Sequence, residues 1–467
     1  MIALTAETNA EEQKYDQMTE APIAGVIGRL AVPTIVAMLV TSVYNMADTY
    51  FVSQIGTSAS GAVGVVLSLM TLIQAVGFTL GMGSGNMIAR MLGKRREEEA
   101  SVYVAVGFFT ALIFGVLLAV GGLCVIDRLA VWLGSTETIL PYATAYMRYI
   151  LLGAPFMAAS FTMNGQLRFQ GNAFFSMLGI GFGGVLNMAL DPLFIFTLKL
   201  GIAGAAIATV LSQFISFCIL LYFSARKKAL VPLRLRFFRP SGAVYRNIMR
   251  MGLPSLFRQG IGSFATILLN NCAMPYGDAA IAAMGIVNRV MMFLMSALLG
   301  FGQGYQPVCG YCYGAKKFSR IREGFFFCVK VATVFLLALA VVVFVFAPQI
   351  ITVFRREDLE VIAIGTRALR FECFALPFYG FYIMNNMLTQ TLGRSVRATV
   401  LACARQGIFF MPLILALPAF MGLTGLMLAQ PAAEILSALL ALLCCRITLR
   451  ELNSEEIAAA ESEAAHG

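Results

Sequence analysis

The sequence predicts an all-α integral membrane protein with twelve transmembrane helices in two pseudo-symmetric six-helix lobes, joined as a parallel repeat. Three observations lead there. Of the 467 residues, 59% are hydrophobic and only 12% charged, and mean hydropathy is +0.81, far from a soluble domain that must cover its surface with polar groups. Apolar runs long enough to cross a bilayer, about 20 residues each, recur twelve times. The first six runs align with the last six.

In chain order, residues 1–22 are a polar, acidic stretch (Glu7, Glu11, Glu12, Lys14, Asp16, Glu20) without a basic-then-apolar signal layout, expected to be a retained, disordered cytoplasmic tail. The N-lobe, 23–224, holds runs near 30–53, 60–82, 101–126, 139–165, 173–198 and 201–224. A linker over 225–242 follows, with Arg226, Lys227 and Lys228 at its start, and Pro232 and Pro240 argue against a continuous helix there. The C-lobe, 243–450, holds runs near 245–273, 279–308, 324–347, 361–390, 398–420 and 423–445, before a tail over 451–467. None of the runs shows the period-two alternation of a lipid-facing barrel strand, so helices are required.

The formal charge of +10 resides in loops. Lys94, Arg95, Arg96, Arg168, the linker cations Arg226, Lys227, Lys228, Arg234, Arg236 and Arg239, then Lys316, Lys317, Arg320, Arg322, Arg394, Arg397, Arg446 and Arg450 share one set of alternating loops. The opposite set holds only Arg128, Lys199, Arg355 and Arg356. That asymmetry places both termini in the cytoplasm, for a multi-pass protein of the cytoplasmic membrane in contact with lipid, and argues against nucleic acid as a partner. The ten cysteines are scattered through apolar segments as small hydrophobes, and the single histidine is His466, so neither a disulfide framework nor a His/Cys metal cluster is expected.

The repeat is read residue by residue. Leu30-Ala31-Val32-Pro33 aligns with Met251-Gly252-Leu253-Pro254, Gly81 and Gly83 with Gly302 and Gly304, and Gly93 with Gly314, all at one offset of 221. Pro155 and Asn164 match Pro377 and Asn386 at an offset of 222. Six helices per half make the repeat parallel in the membrane, a plan common among secondary transporters. Glycines at small-residue spacing (Gly77, Gly81, Gly85; Gly179, Gly183; Gly300, Gly304) are expected at close helix contacts.

Carboxylates inside apolar runs are costly, at least roughly 2.5–3.5 kcal/mol each. Asp48 lies a few residues before one outer loop, Asp191 a little before another, and Thr209 and Gln213 a similar distance after it. Tyr44 with Asp48, Asn187 with Asp191, and Thr209 with Gln213 are each four apart and share helix faces. Three helices thus present Tyr44, Asp48, Asn187, Asp191 and Thr209 at one depth. Two carboxylates in a low-dielectric pocket share a proton or hold a cation, so the set is a candidate H⁺ or Na⁺ site. Plain hydrogen bonding between helices is the competing account.

At this point the chain resembles the multidrug and toxic compound extrusion (MATE) antiporters, over about 22–450. The resemblance rests on the two lobes, Pro33 fifteen residues before Asp48, the spacing Asn187-x-x-x-Asp191, and Thr209 on the next helix. It implies that Tyr44, Asp48, Asn187, Asp191 and Thr209 bind the coupling ion, H⁺ or Na⁺, and that Pro33 marks a bend in the first helix. No cofactor besides the coupling ion is expected, and with no intramembrane His, no H-E-x-x-H and no G-x-S-x-G in the sequence an enzyme is not expected either. Together with the two-lobe plan the resemblance places a substrate cavity between the lobes, with Gln74, Phe78, Met82, Met295, Gln303 and Glu372 as candidate linings. The expected function is export of small amphipathic, often cationic, compounds by a monomer through alternating access; a flippase for a lipid-linked oligosaccharide or peptidoglycan precursor is the alternative. The sequence departs from the branch that uses acids in helices seven and ten, since helix seven carries Arg258 and Glu372 precedes Pro377. The C-lobe charges Arg258, Arg289, Glu372, Arg405 and Glu434 are expected to form a buried ion-pair network, and Arg148 has no assigned partner.

Overall fold

The computed structural model describes residues 12–225, 230–355 and 358–464. Glu7, Glu11, Arg226, Lys227, Lys228, Arg356 and His466 lie outside the described residues, which contain no strand.

A short helix, α1 (12–19), precedes the N-lobe of α2 (Ile23–Ser53), α3 (Thr57–Gly93), α4 (Glu97–Cys124), the short α5 (Ile126–Trp132), α6 (Leu140–Phe169), α7 (Ala173–Pro192) and α8 (Gly201–Ala225). The C-lobe comprises α9 (Gly242–Ala273), α10 (Asp278–Gly314), α11 (Phe318–Phe354), α12 (Leu359–Thr391), α13 (Ser395–Cys403), α14 (Phe410–Met421) and α15 (Leu423–Ala464). Two π-helical segments, Leu193–Thr197 and Ala404–Phe409, continue α7 and join α13 to α14. Each lobe therefore crosses six times. Among the described residues nine spans are long and apolar enough to cross a membrane by composition alone. The other three, α6, α9 and α12, are as long but carry internal charges such as Arg148, Arg258 and Glu372.

Two of those polar spans, α6 and α12, are also well covered. Helix α6 packs against α3, α4, α7 and α8, and α12 against α10, α11, α13 and α15, so each stands at the centre of its lobe. The repeat extends to single hydrogen bonds. Asn164 Nδ2 on α6 donates to the Ser176 carbonyl at 3.0 Å, and its counterpart Asn386 on α12 donates to the Ala398 carbonyl at 2.9 Å. Both amides are buried, where an unmet donor would cost about 1–3 kcal/mol.

The lobes meet at the basic ends of their helices. There α2 packs on α10 and α3 on α9 and α10. A Cβ at Gly93 would collide with the Tyr311 carbonyl, and one at Gly314 with the Arg90 carbonyl. These are the same contact made twice by the repeat. Arg90 adds a clamp across the seam, its Nε and Nη2 donating to the Thr391 carbonyl at 3.2 and 2.7 Å and its guanidinium lying over Tyr313. From residue 80 to 93 nearly every α3 residue is buried, whereas the opposite half of α3 alternates with exposed positions such as Leu67 and Leu72. The basic ends are thus sealed.

Several expectations need correction. The stretch before α2 is not disordered over 12–19: it forms α1, held to the N-lobe by Lys14 Nζ donating to the Gly171 carbonyl at 2.9 Å and by Tyr15 under Arg95. The next residues reach the C-lobe through Lys317 Nζ to Glu20 Oε1 at 2.9 Å and Arg320 Nη2 to the Ala21 carbonyl at 2.5 Å. Arg168 is no loop residue; it lies in the last turn of α6, 1% exposed, with Nη2 on the Met82 sulfur at 3.2 Å. Residues 451–464 continue α15, and Glu451, Glu455 and Glu456 pair with Arg394, Arg397 and Arg322. The linker carries a short 3₁₀ turn, Leu235–Phe237, and is tied to the N-lobe by Val231 N donating to Gln170 Oε1 at 3.2 Å.

The α1 strap yields a first prediction. The Met18 carbonyl sits 3.7 Å from the Cys312 sulfur, which is buried. In a variant keeping Cys312 as its sole cysteine, removing residues 1–18 is expected to raise maleimide labelling several-fold while the spans stay folded. Unchanged labelling would show that another element covers the thiol.

Candidate functional site

The N-lobe polar residues gather near the end opposite the seam. Counted at about 1.5 Å per residue, Asp48 lies some 8 Å from the end of α2, Asp191 some 9 Å from the end of its π segment, and Thr209 some 12 Å from the start of α8. Helix α7 packs on both α2 and α8, so the three polar faces converge. Local sequence explains the break beside Asp191: Pro192 removes one backbone donor, and the helix continues as a π turn over Leu193–Thr197.

Asn187 links two of the walls. Its Nδ2 donates to Asp191 Oδ1 at 3.2 Å and to Thr209 Oγ1 at 3.4 Å. Asp191 is fully buried, with Asn187 and Thr209 at 3% and 5% exposure. Tyr44 is buried with its ring against Gly184 of α7, where a Cβ would come within 2.8 Å of Cδ1. Asp48 is half-buried and within electrostatic reach of both Asp191 and Tyr44.

The polar atoms left over define what this arrangement can do. Asp48 Oδ1 and Asp191 Oδ2 are buried without a hydrogen-bond donor, and neither carboxylate joins an ion pair among the described residues. Ser212 Oγ and Gln213 Oε1 on α8 are likewise unpartnered. A buried carboxylate oxygen without a donor is costly. Two of them within electrostatic reach of one another, with no ion pair among the described residues, suit a proton or a small hard cation that prefers oxygen ligands.

Sequence reasoning missed Tyr146. It lies on α6, is fully buried, and has its hydroxyl beside Thr209, within electrostatic reach of Asp48, Asp191 and Tyr44. Depth would have found it, since it stands six residues from the start of α6, matching Asp48 and Asp191. Tyr146→Phe is expected to leave protein abundance unchanged, because the ring that fills the buried position is kept, and to weaken the apparent affinity for the bound cation by about tenfold, the worth of a hydrogen bond to a charged group. Concentration dependence of cation-driven flux would measure it; an unchanged half-saturation would remove Tyr146 from the site.

The remaining sequence candidates are placed differently. Helix α2 runs unbroken through Pro33. Gln74 and Phe78 are half-buried on α3, Phe78 tilted on Phe161 at 5.0 Å. Met82 is 1% exposed and packed against Arg168 inside the N-lobe, so in this state it lines no space between the lobes. Met295 and Gln303 are buried on α10, Gln303 with Oε1 unpartnered. Glu372 is buried within the C-lobe. The expected C-lobe network is only partial: Arg405 pairs with Glu434 at 3.2 Å and Arg258 bonds Asn386 Oδ1 at 3.4 Å, while Arg289 and Arg148 are exposed and join no ion pair among the described residues.

Comparison with known proteins follows the same lines. The family model MatE matches residues 33–193 and 254–415, two segments that open on the repeat prolines Pro33 and Pro254. The Multidrug export protein MepA of Staphylococcus saprophyticus is 25% identical over 93% of this chain and 95% of its own length; that of Staphylococcus aureus strain MSSA476 is 24% identical over the same shares. Among solved structures, an "outward-facing conformation of a multidrug resistance MATE family transporter of the MOP superfamily" superposes with a TM-score of 0.89 at 29% identity, covering 94% of this chain and 98% of that one. A MOP superfamily transporter from Pyrococcus furiosus gives a TM-score of 0.88 at 28% identity over 94% and 98%.

Proposed function

The chain belongs to the MatE family of membrane transporters, and from that premise we propose that it is a cation-coupled antiporter exporting amphipathic, often cationic, compounds across the cytoplasmic membrane. The names of its relatives favour drug efflux. The coupling rests on one observation: two buried carboxylate oxygens, on Asp48 and Asp191, face one another's field with no donor and no ion pair.

In this reading the basic face is cytoplasmic, as the loop charges favour, and the protein works as a monomer. With that face sealed, substrate leaves on the outer side while H⁺ or Na⁺ enters among Tyr44, Asp48, Tyr146, Asn187, Asp191 and Thr209. Neutralising the pair removes its charge repulsion and lowers the cost of drawing α2 and α7 together. Pro33, which lacks a backbone donor, is where α2 can bend as the lobes rock. Opening of the basic face then releases the ion and admits substrate from the cytoplasm.

Dye efflux from proteoliposomes, with a pH gradient and a Na⁺ gradient imposed separately, tests the coupling. At least one gradient is expected to drive efflux. Transport indifferent to both would overturn it.

A further inference from the structure

Between α1 and the first turns of α2 lies a cleft of about 580 Å³, to which α1 contributes Lys14, Asp16, Gln17 and Glu20 and α2 contributes Arg29. Arg29 fixes where it opens. It is exposed, six residues or about 9 Å along α2. At helical spacing it heads the stripe Val32, Val36 and Val43, whose exposure in a membrane-spanning helix makes it a lipid-facing face. The far border of the cleft is the α6–α7 turn, where Lys14 Nζ donates to the Gly171 carbonyl at 2.9 Å. Helix α7 leaves that turn with Phe174 and Leu178 exposed. The cleft therefore stands at headgroup level, with apolar surface leading inward from it.

Four charged side chains line this cleft, two of each sign, and they are not used alike. Lys14 is held by the Gly171 carbonyl, and Glu20 Oε1 accepts from Lys317 Nζ at 2.9 Å. Asp16 and Arg29 are exposed, and neither side chain joins a hydrogen bond or an ion pair among the described residues. Burial, and next the charge of Arg29, lower the pKa of Lys14. The two cations thus sense each other with no anion between them, while an acid on the same cleft stays unpaired.

A guanidinium and a carboxylate that line one cleft without meeting suit a ligand that carries both charges. Arg29 and Lys14 match a phosphate, and Asp16 accepts from an ammonium. A bilayer supplies such a molecule at this depth. We propose that the cleft binds the headgroup of a zwitterionic phospholipid, phosphatidylethanolamine, with its phosphate at Arg29 and Lys14, its ammonium at Asp16 and its chains along the exposed face of α2. An anionic lipid such as phosphatidylglycerol would satisfy Arg29 but leave Asp16 unpaired beside a further negative charge. A primary ammonium is favoured over a quaternary one, because only the former donates hydrogen bonds. Since α1 is tied to both lobes, a headgroup bridging α1 to α2 becomes part of the seat of the strap. Nothing in this depends on how transport is coupled.

The test uses the full-length purified protein, stripped of lipid in detergent and titrated with short-chain phosphatidylethanolamine, with the matching phosphatidylglycerol, or with glycerophosphoethanolamine, which has the headgroup without the chains. Native mass spectrometry counts the molecules bound. One phosphatidylethanolamine per protein is expected at concentrations where the other two leave the cleft vacant. Arg29→Gln and Asp16→Asn are each expected to weaken it about tenfold, the worth of a hydrogen bond between charged groups. Both side chains are exposed and unpartnered, so neither change threatens folding, and Arg128→Gln in the opposite set of loops should have no effect. Equal binding of phosphatidylglycerol would reduce Arg29 to a general phosphate anchor and overturn the proposal. Equal binding of the chainless headgroup would remove the membrane as its source and overturn it too, as would phosphatidylethanolamine binding that neither substitution changes.

Discussion

Asp191→Asn protein is expected to reach normal abundance and to lose gradient-driven efflux. The asparagine keeps an oxygen where Asp191 Oδ1 accepts from Asn187, so the α7–α8 contact survives. What disappears is the carboxylate whose second oxygen has no donor. A monovalent ion crossing a 100 mV potential supplies about 2.3 kcal/mol, which sustains roughly a 40-fold substrate gradient per coupled ion. The steady-state ratio of dye across a proteoliposome should fall by about that factor for each ion uncoupled. Asp48→Asn is expected to act in the same direction. Wild-type accumulation ratios in both variants, at matched protein content, would separate the site from the coupling.

The second large effect is expected at the seam. Gly93 and Gly314 each face a carbonyl of the other lobe so closely that a methyl group cannot enter without moving backbone. Overpacking of this kind costs about 1–3 kcal/mol per site. If, as alternating access requires, the contacts exist only while the basic face is shut, Gly93→Ala/Gly314→Ala is expected to disfavour that state by roughly 30- to 20,000-fold in population when the two costs add. Labels at Lys94→Cys and Lys316→Cys, one on each lobe beside the seam, would report it as a longer mean distance. A distribution identical to that of the parent would mean that the seam relaxes around the methyls.

Much of this was legible in the sequence because membrane helices announce themselves by length and apolarity, and the repeat by glycines and prolines at fixed offset. Pro33 and Pro254, Asn164 and Asn386, and Gly93 and Gly314 all occupy equivalent places in space. Depth counting likewise brought Asp48, Asp191, Asn187 and Thr209 together without coordinates. What escaped was anything fixed by rotation about a helix axis. Tyr146 and Arg148 are two residues apart on one helix, yet one is fully buried at the site and the other is exposed. Met82 passed for a cavity residue because periodicity alone does not say whether a face meets a gap or, as here, Arg168. The polar end segments escaped for another reason: α1 and the end of α15 are held by ion pairs and carbonyl contacts to other loops, which composition does not reveal.

The unequal tethering of the two chain ends bears on where a reporter can be attached. Residues 14–21 are fastened to Gly171 and Arg95 in one lobe and to Lys317 and Arg320 in the other. Glu451, Glu455 and Glu456 near the end of α15 are fastened to Arg322, Arg394 and Arg397 of their own lobe. A fluorophore or bulky fusion at the N-terminus therefore hangs on a segment fastened to both lobes and would sense and burden any movement between them. The same cargo at the C-terminus rides on one rigid body, the quieter place for a purification handle.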